Sequence, residues 1–307
     1  QIEHLHNHFA NSSCSVSLLA AALGGFTFSF TLHGPAIFFE PKLWRIDEKI
    51  RRALFVSCIS YYSRSQGMVF APWESWSKMH VIHCGVDLDQ FNQVTHSGEG
   101  KSLLYVGRLA AVKGLPILLD SFMELKAKYP KLVLTVIGDG SDRAQLEEKT
   151  RKNGLESNVQ FVGYQSQQAV REFLQKADIF VMSSLAEGVP VVLMEAMASG
   201  VPIVATQIAG VSELVEEGKN GYLVPPGNPE ALIEAIDKLL INAELRVQMG
   251  QHGRQKVEED FSINTEAERL YQVLTAALEG KTVAVRPTLH KTLSKTTSTK
   301  ATRVNAS

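Results

Sequence analysis

The fold is decided by the stretch SLLYVGRLAAVKGLPILLDSFMELKAKYPKLVLTVIG, which spans residues 102–138. Its first six residues are a short apolar run of the kind that forms a strand buried on both faces. Residues 114–130 have helical periodicity, and Pro116 lies where a first helical turn tolerates proline. A second apolar run follows at 131–138. Strand, helix and strand in this order predict a parallel βαβ unit.

The same alternation continues on both sides of this unit. Further strands are predicted, with helical segments between them, at 26–34, 53–60, 158–163, 178–184, 202–206 and 221–225. Such a pattern is typical of an α/β protein with doubly wound parallel sheets. We expect two facing Rossmann-like domains, the first of them incomplete. Ligands of such sheets bind beyond the carboxyl ends of the strands, which here would be in the cleft between the domains.

Composition excludes several classes of protein. The chain of 307 residues has 45% hydrophobic residues, 21% charged residues and a net charge of −1, so nothing indicates a nucleic-acid partner. Three separated cysteines without a CxxC pair argue against a disulfide framework or a zinc site and favour a reducing cytoplasm. The uncharged stretch 16–30 is shorter than the roughly 20 residues of a membrane helix. A glycine pair divides it, which predicts a buried helix and then a buried strand.

Two glutamates mark the stretch AEGVPVVLMEAMASGVP, residues 186–202. A glycine and a proline after Glu187 place it in a loop at a carboxyl end of the sheet, and a helix is predicted from Pro190 to about Ser199. The free N–H groups of that helix favour a negative or hydroxyl-rich ligand. Glu195 lies about one turn inside, and carboxylate oxygens suit the adjacent hydroxyls of a sugar or ribose. The alternative is that both acids are solvent-facing or capping residues.

Two further loops follow predicted strands at the same edge. VGRLAAVKG (106–114) carries Arg108 and Lys113 between glycines, and both cations suit phosphate oxygens. GDGSDR (138–143) allows the backbone to approach a nucleotide closely, although it lacks the full dinucleotide fingerprint. The alternatives are a pair of surface cations and a tight strand-to-helix turn.

The histidines of the first domain are the remaining candidates. HLHNH (4–8) has a spacing that suggests a metal site, but no cysteine or acidic cluster accompanies it, so no metal is expected. His33, in TLHGP, is flanked by glycine and thereby open to a ligand; the alternative is a structural histidine. The DLD triplet at 87–89 is interpreted as a turn, because it lies far from the charged loops.

In their order along the chain, VGRLAAVKG, GDGSDR and EGVPVVLME resemble glycosyltransferase family 4. The family has the GT-B fold and an E-x7-E motif, matched here by Glu187 and Glu195. The resemblance covers about residues 81–275, and FTLHG together with VIHCGVDLDQF adds to it. The sequence EGVPVVLMEAMASGVP most resembles bacterial members that build exopolysaccharide or colanic-acid-like chains.

The resemblance implies a retaining transfer of a sugar from a nucleotide-diphosphate donor to a glycan or lipid-linked acceptor. Arg108 and Lys113 would hold the diphosphate, Glu195 the ribose hydroxyls and Glu187 the donor sugar, with His33 near that sugar from the first domain. The catalytic positions it implies are His33, Arg108, Lys113 and Glu187. The donor-binding positions it implies are Arg108, Lys113, Gly138, Gly140, Glu187, Gly188, Val189, Val191 and Glu195. Neither a cofactor nor a metal is expected beside the donor.

The resemblance also sets the domain boundaries. It implies a partial acceptor-side domain at 1–95, a nucleotide-sugar-binding domain at 96–262 and a helix at 263–280 that packs back on the first domain. Residues 281–307, rich in Thr, Ser and Lys and without an acid, predict a disordered tail. The basic tail would either contact an anionic membrane surface peripherally, at the inner face of the membrane, or remain solvated.

Two other functions stay open at this point. One is a GT-B nucleotide-sugar epimerase, which transfers nothing. The other is a catalytically inert nucleotide-sugar-binding fragment. The family's first domain usually opens with a strand and a glycine-rich loop, and we expect this sequence, which begins at Gln1, to lack that segment.

Overall fold

Two parallel β-sheets organise the molecule. The structure, a computed structural model, describes residues 2–94 and 99–288. The first sheet has four strands in the order β1-β2-β3-β4, and the second has six in the order β10-β9-β8-β5-β6-β7. All strand pairs among the described residues are parallel. Successive strands of one sheet are therefore joined by crossover connections, mostly through a helix. The predicted α/β architecture is therefore confirmed.

The first domain contains the elements up to residue 81. In chain order they are β1 (His4–His8), α1 (Ser12–Gly24), β2 (Thr27–Leu32), α2 (Ala36–Phe39), α3 (Ile46–Arg52), β3 (Val56–Cys58), α4 (Tyr61–Phe70) and β4 (Met79–Val81). A short 3-10 helix, Trp73–Lys78, precedes β4. Asn11 rather than Ser12 or Ser13 caps α1, since its side chain accepts the N–H of Ser13.

The second domain alternates strand and helix from residue 102 onward. Its strands are β5 (Ser102–Val106), β6 (Val133–Ile137), β7 (Val159–Gly163), β8 (Ile179–Met182), β9 (Ile203–Thr206) and β10 (Gly221–Val224). Its helices are α5 (Leu115–Lys128), α6 (Arg143–Lys152), α7 (Gln167–Leu174), α8 (Val191–Ala198), α9 (Val211–Leu214), α10 (Pro229–Leu240) and α11 (Ala243–Asp260). Each predicted strand of this domain is present, within two residues of its predicted ends.

The second sheet is buried on both faces. Along β5, Leu103 and Tyr105 pack against the cluster that includes α5 and α10, whereas Leu104 packs against the cluster that includes α8. Alternate residues of a strand point to opposite faces, so a run without polar residues requires helices on both sides. This explains why the apolar run 102–106 predicted the layered fold.

The chain passes between the two domains twice, and the two connecting segments are hydrogen-bonded to each other. Val86 donates its N–H to Phe261 O at 2.9 Å, and Ile263 donates to Val86 O at 3.1 Å. The 3-10 helix Leu88–Gln90 follows, with the Asp87 side chain accepting the N–H of Asp89, as expected for turn chemistry. Helix α12 (Ile263–Leu278) then packs on the first domain, where Val273 meets Phe55 and Ile82.

The prediction of a disordered tail from 281 onward is wrong for residues 281–288. Val81 N–H donates to Val285 O at 2.6 Å, so this segment runs beside β4. Arg286 donates to the buried carboxylate of Glu266 in α12. The prediction from composition was wrong because residues 281–288 are held by Arg286 and by the free edge of β4. A count of Thr, Ser and Lys residues reveals neither contact. Residues 289–307 lie outside the described part of the chain.

Helix α1 differs from the buried helix that was expected. Only Cys14, Ser17 and Ala21 are buried, and Val16 and Leu23 are exposed, because one face of the helix packs on the sheet and the other has no neighbour among the described residues. Within residues 2–94 and 99–288, no helix has the length and apolar character needed to cross a membrane.

Candidate functional site

A cleft of about 340 Å³ opens at the carboxyl ends of the second sheet. The loops after β5, β7 and β8 line it, together with the first turns of α8. The loops contribute Lys113, Tyr164 and Glu187, and α8 contributes Glu195. The carboxyl ends of parallel strands lie at one edge of the sheet, so residues more than 50 positions apart in sequence meet here.

Lys113 and Glu187 form an ion pair in this cleft. The Lys113 Nζ lies 2.5 Å from Glu187 Oε1, and both side chains are largely buried. Ser184 Oγ donates to the same carboxylate oxygen at 2.7 Å. Among the described residues, no hydrogen bond reaches Glu187 Oε2. One oxygen of a fixed, charged carboxylate is thereby left for a ligand, and the ammonium beside it can turn to an anion.

Glycines hold the loops of the cleft together by close backbone contact. A Cβ on Gly114 would lie 2.0 Å from Ser183 O, so only glycine lets the loop that carries Lys113 reach the loop after β8. A Cβ on Gly138, whose φ is +130°, would lie 1.9 Å from Gly107 O. A Cβ on Gly140 would lie 2.2 Å from Leu109 O. The glycines of GDG therefore fix the loop positions by sterics, which is the turn interpretation of that motif, and neither lines the cleft itself.

Helix α8 directs its N-terminus at the cleft. Pro190 is the N-cap rather than the first helical residue, and no side chain caps the helix. The first N–H groups therefore remain available to a negative ligand, together with the positive end of the helix dipole. Val191 lines the cleft, and the helix ends at Ala198, close to the predicted end.

Glu195 faces the same cleft one turn further along α8. Burial raises the pKa of its carboxyl, and the nearby positive charge of Arg171 partly offsets this. The Glu195 carboxylate accepts no hydrogen bond from the residues that the structure describes, whereas its backbone carbonyl accepts from Ser199. A carboxylate that is half-buried and has no hydrogen-bond donor is suited to receive two hydroxyl groups of a ligand.

Arg108 and His33 lie apart from this cluster. Arg108 is exposed in the loop after β5 and forms no ion pair with a described residue. His33 follows β2 of the first domain, and its Nε2 lies 3.1 Å from His8 Nδ1. Its Nδ1 faces the Cys84 Sγ at 3.9 Å. Burial, and then the neighbouring His8, lowers the pKa of His33 to about 4, so the ring is neutral at pH 7.

The two domains touch beside the Glu187 loop. A Cβ on Gly188 would lie 3.0 Å from the Cα of Gly34, the residue after His33. Gly210 approaches Ser60 in the same way, and its N–H donates to Gly188 O at 3.2 Å. The His33 loop is thereby held against the Glu187 loop. Among residues 2–94 and 99–288, no group of three or more His, Cys, Asp or Glu side chains has the arrangement of a metal site.

Comparison with known proteins decides the family. The family model described as "Glycosyl transferases group 1" matches residues 87–256, which is more than half of the chain. The chain belongs to this glycosyltransferase family. The expected resemblance is therefore confirmed, and the loops of the cleft all lie within the matched region.

Individual relatives within the group 1 glycosyltransferases are similar over part of their length. The amylovoran biosynthesis glycosyltransferase AmsK of Erwinia amylovora is 33% identical over 205 residues, which are 64% of this chain and 50% of AmsK. WcaL of Escherichia coli, named for colanic acid biosynthesis, is 32% identical over 209 residues, 64% of this chain and 52% of WcaL. The chain thus spans about half the length of these relatives.

Solved structures show the same fold. HepE of Anabaena in complex with UDP superposes with a TM-score of 0.79 over 89% of this chain and 79% of HepE, at 20% sequence identity. The chain has the GT-B fold, as expected.

Three residues, two at the cleft and one at the adjoining domain contact, were missed from sequence. Tyr164, directly after β7, is 82% exposed at the cleft. Ser184 orients the Glu187 carboxylate. Glu213 of α9 accepts the N–H groups of Tyr61 and Tyr62 across the domain boundary. Tyr164 could have been found from the sequence, because an aromatic residue directly follows the end of a predicted strand there. The other two depend on contacts that only the folded chain creates.

Proposed function

We propose that this chain carries the donor site of a retaining glycosyltransferase. The enzyme would move a sugar from a nucleotide-diphosphate donor to a hydroxyl of a glycan or lipid-linked acceptor in exopolysaccharide or other cell-envelope polysaccharide synthesis. The observation that supports this most strongly is the convergence of Lys113, Glu187 and Glu195 on one cleft beside the uncapped N-terminus of α8. AmsK and WcaL carry names of polysaccharide biosynthesis, and HepE has been solved with UDP and with UDP-glucose.

The donor would bind across the cleft, with its hydroxyl groups at Glu195 and its diphosphate at Lys113. Glu195 accepts the two ribose hydroxyls, which supplies the donors that its carboxylate lacks in the structure. Tyr164 offers an exposed ring for the base. The diphosphate would lie near Lys113, with the first N–H groups of α8 as donors, and Arg108 would reach it from the loop after β5. In this proposal the donor is a substrate, and no cofactor or metal accompanies it.

Transfer would break the bond between the anomeric carbon and the diphosphate oxygen and form a bond to the acceptor oxygen. The acceptor hydroxyl loses its proton, and the departing diphosphate, on which negative charge develops, takes it up. Lys113 and the α8 dipole would stabilise that developing charge. Electrostatic stabilisation of this kind is usually the largest single contribution to the rate enhancement. Glu187 would hold the donor sugar with its free Oε2, and the backbone of Gly188, Val189 and Val191 would complete that subsite.

The domain contact would serve to exclude water. His33 is neutral and is held near the Glu187 loop by the Gly188–Gly34 contact, so it would approach the donor sugar from the first domain as a hydrogen-bonding group. Closure of the cleft limits hydrolysis of the donor. We place the enzyme in the cytoplasm, in peripheral contact with the inner face of the membrane when its acceptor is lipid-linked.

One experiment separates this proposal from its two alternatives. The chain is incubated with labelled nucleotide sugars and with lipid-linked or glycan acceptors. Labelled acceptor supports transfer, an epimerised donor supports a nucleotide-sugar epimerase, and binding without turnover supports an inert binding protein. Lys113→Ala should abolish the product, whereas Lys131→Ala, an exposed lysine at the opposite edge of the second sheet, is the matched control and should leave it unchanged.

A further inference from the structure

The hinge between the two domains consists of two connecting segments that lie against each other. Residues 82–86 lead from β4 towards the second domain, and residues 260–263 lead from α11 back to the first. A Cβ on Gly85 would lie 2.6 Å from the Cα of Ile263, so the two backbones touch. A change in the angle between the domains must therefore move both segments together.

A buried carboxylate lies beside this hinge. Glu266, in the first turn of α12, is 3% exposed. One of its oxygens accepts the N–H of His83 at 2.8 Å, which ties the first connecting segment to α12. Two guanidinium groups, those of Arg269 and Arg286, pair with the same carboxylate. A charge buried to this degree is costly unless it is paired, and both cations contribute to that compensation.

Arg286 does more than neutralise Glu266. Its Nη2 donates to Asp260 O at 3.2 Å, at the C-terminal end of α11 in the second domain, where the helix dipole favours a cation. Its Nη1 donates to Val81 O at 3.4 Å, at the end of β4 in the first domain. Because the guanidinium is planar and rigid, it reaches both carbonyl groups only when they lie at one distance from each other. Arg286 thereby fixes the relative position of the two domains at the hinge.

The backbone on both sides of Arg286 is held in place. Val81 donates its N–H to Val285 O at 2.6 Å, and Arg269 donates to Pro287 O at 3.1 Å. These bonds limit the freedom of the segment that carries the guanidinium. The entropy lost when the side chain bridges the domains is therefore small.

The hinge also leads directly to the contact between the domains. Cys84 belongs to the first connecting segment, and its Sγ lies 3.9 Å from Nδ1 of His33. The next residue after His33 is Gly34, which meets Gly188 in the Glu187 loop. A shift of the hinge would therefore move the His33 loop relative to the donor cleft.

We propose that Arg286 is a positioning residue, which holds the two domains at the angle where the His33 loop meets the Glu187 loop. Arg286 lies outside the donor cleft, so it acts through the angle between the domains. Its expected effect on turnover rests on the proposed function. The angle itself does not, and it can be measured without a donor or an acceptor.

The angle is read from the distance between two spin labels, measured by double electron–electron resonance. Lys42→Cys in the first domain and Gln168→Cys in the second place the labels at exposed positions. The native thiols should remain unlabelled, because Cys14 and Cys58 are buried and burial raises the pKa of Cys84 to about 11. The labelled chain, otherwise unaltered, should give one narrow distance distribution.

Arg286→Met removes the bridge but keeps most of the apolar length of the side chain. Loss of hydrogen bonds to a charged group should raise the population of open conformers by about tenfold or more, which is seen as a second, longer distance. Arg269→Met is the matched control, because it removes the other cation from Glu266 and leaves the bridge in place. It should retain the narrow distribution.

Arg286→Lys separates the bridge from the charge. Its ammonium still pairs with Glu266, so the thermal midpoint should stay close to that of the unaltered chain. A compact ammonium does not span both carbonyl groups, so the second distance should persist.

Turnover supplies a second readout. Arg286→Met should lower kcat and increase donor hydrolysis relative to transfer, because a looser hinge excludes water less well. Affinity for UDP, measured by calorimetry, should be unchanged, since the residues that line the donor cleft all belong to the second domain.

An unchanged distance distribution in Arg286→Met would overturn the assignment. Equal broadening in Arg269→Met, or a narrow distribution in Arg286→Lys, would do the same, since compensation of the Glu266 charge would then suffice. Should Arg286→Met not fold, the comparison of Arg286→Lys with Arg269→Met decides the question. Failure of the proposed function looks different: the distances respond to Arg286 as expected, but no donor sugar is transferred to any acceptor.

Discussion

The N-terminus of α4 depends on a carboxylate from the other domain. Ser60 satisfies the N–H groups of Ser63 and Arg64, through its side chain and its carbonyl. Those of Tyr61 and Tyr62 have no acceptor within the helix and instead donate to the two oxygens of Glu213, at 2.9 and 2.8 Å. Glu213 belongs to α9 of the second domain, so these two bonds hold the domains together.

Glu213→Gln removes the charge and replaces one acceptor oxygen by an NH₂ group that faces an N–H. A hydrogen bond to a charged acceptor contributes about 1.5–3 kcal/mol, so losing one of the two costs about 2 kcal/mol, or roughly 30-fold in the equilibrium of local opening. The favourable interaction of the carboxylate with the helix dipole is lost as well, which adds a few tenths of a kcal/mol to about 1 kcal/mol.

Amide hydrogen exchange measures this directly. The Tyr61 and Tyr62 amides should exchange about 30- to 150-fold faster in Glu213→Gln, because the opening equilibrium depends exponentially on the lost free energy of about 2–3 kcal/mol. Glu217→Gln is the matched control, because Glu217 also accepts a backbone N–H, that of Leu223, but within the second domain. Unchanged protection of both tyrosine amides in Glu213→Gln would refute the reasoning, as would equal acceleration in the control.

Three further predictions concern the cleft, its loops and the histidines. Glu195→Ala should weaken UDP binding about tenfold in calorimetry because the ribose hydroxyls lose their acceptor, and Lys113→Ala should lower turnover more than Glu195→Gln does; equal small effects on turnover would argue against phosphate stabilisation by Lys113. Gly138→Ala should destabilise the fold by about 2–4 kcal/mol in urea titrations from overpacking and strain, against about 1 kcal/mol for Gly218→Ala, where φ is also positive (+72°) but a Cβ meets nothing within 4 Å. Burial, followed by neighbouring histidines, lowers the pKa of His6 from 6.5 to about 4, so the unfolded chain binds more protons between those values. The contribution of His6 to stability should therefore be constant above about pH 6.5 and fall as the pH drops towards 4, and a urea midpoint that rises as the pH is lowered through that window would contradict this.

Much of the fold was predictable because each signal is local. Apolar runs such as 102–106, glycine-rich turns after them and amphipathic helices between them report their structure within a few residues. The positions of Glu187, Lys113 and Glu195 at one edge of the sheet followed from parallel topology alone. The tail at 281–288 and the exposed face of α1 were not predictable, because neither is decided by its own composition but by whether a neighbouring surface is present.

The sequence by itself determined the layered α/β architecture, the family and the residues available for phosphate and hydroxyl recognition. Only the tertiary structure decided which of these residues meet: Lys113 pairs with Glu187, Arg108 stays apart, and Gly138 and Gly140 shape loops without lining the cleft. It also revealed that Glu213 joins the two domains by accepting the N–H groups of Tyr61 and Tyr62. The physical reason is that periodicity encodes which face of an element is buried, whereas distances between loops depend on backbone contacts of a few ångströms that no local pattern records.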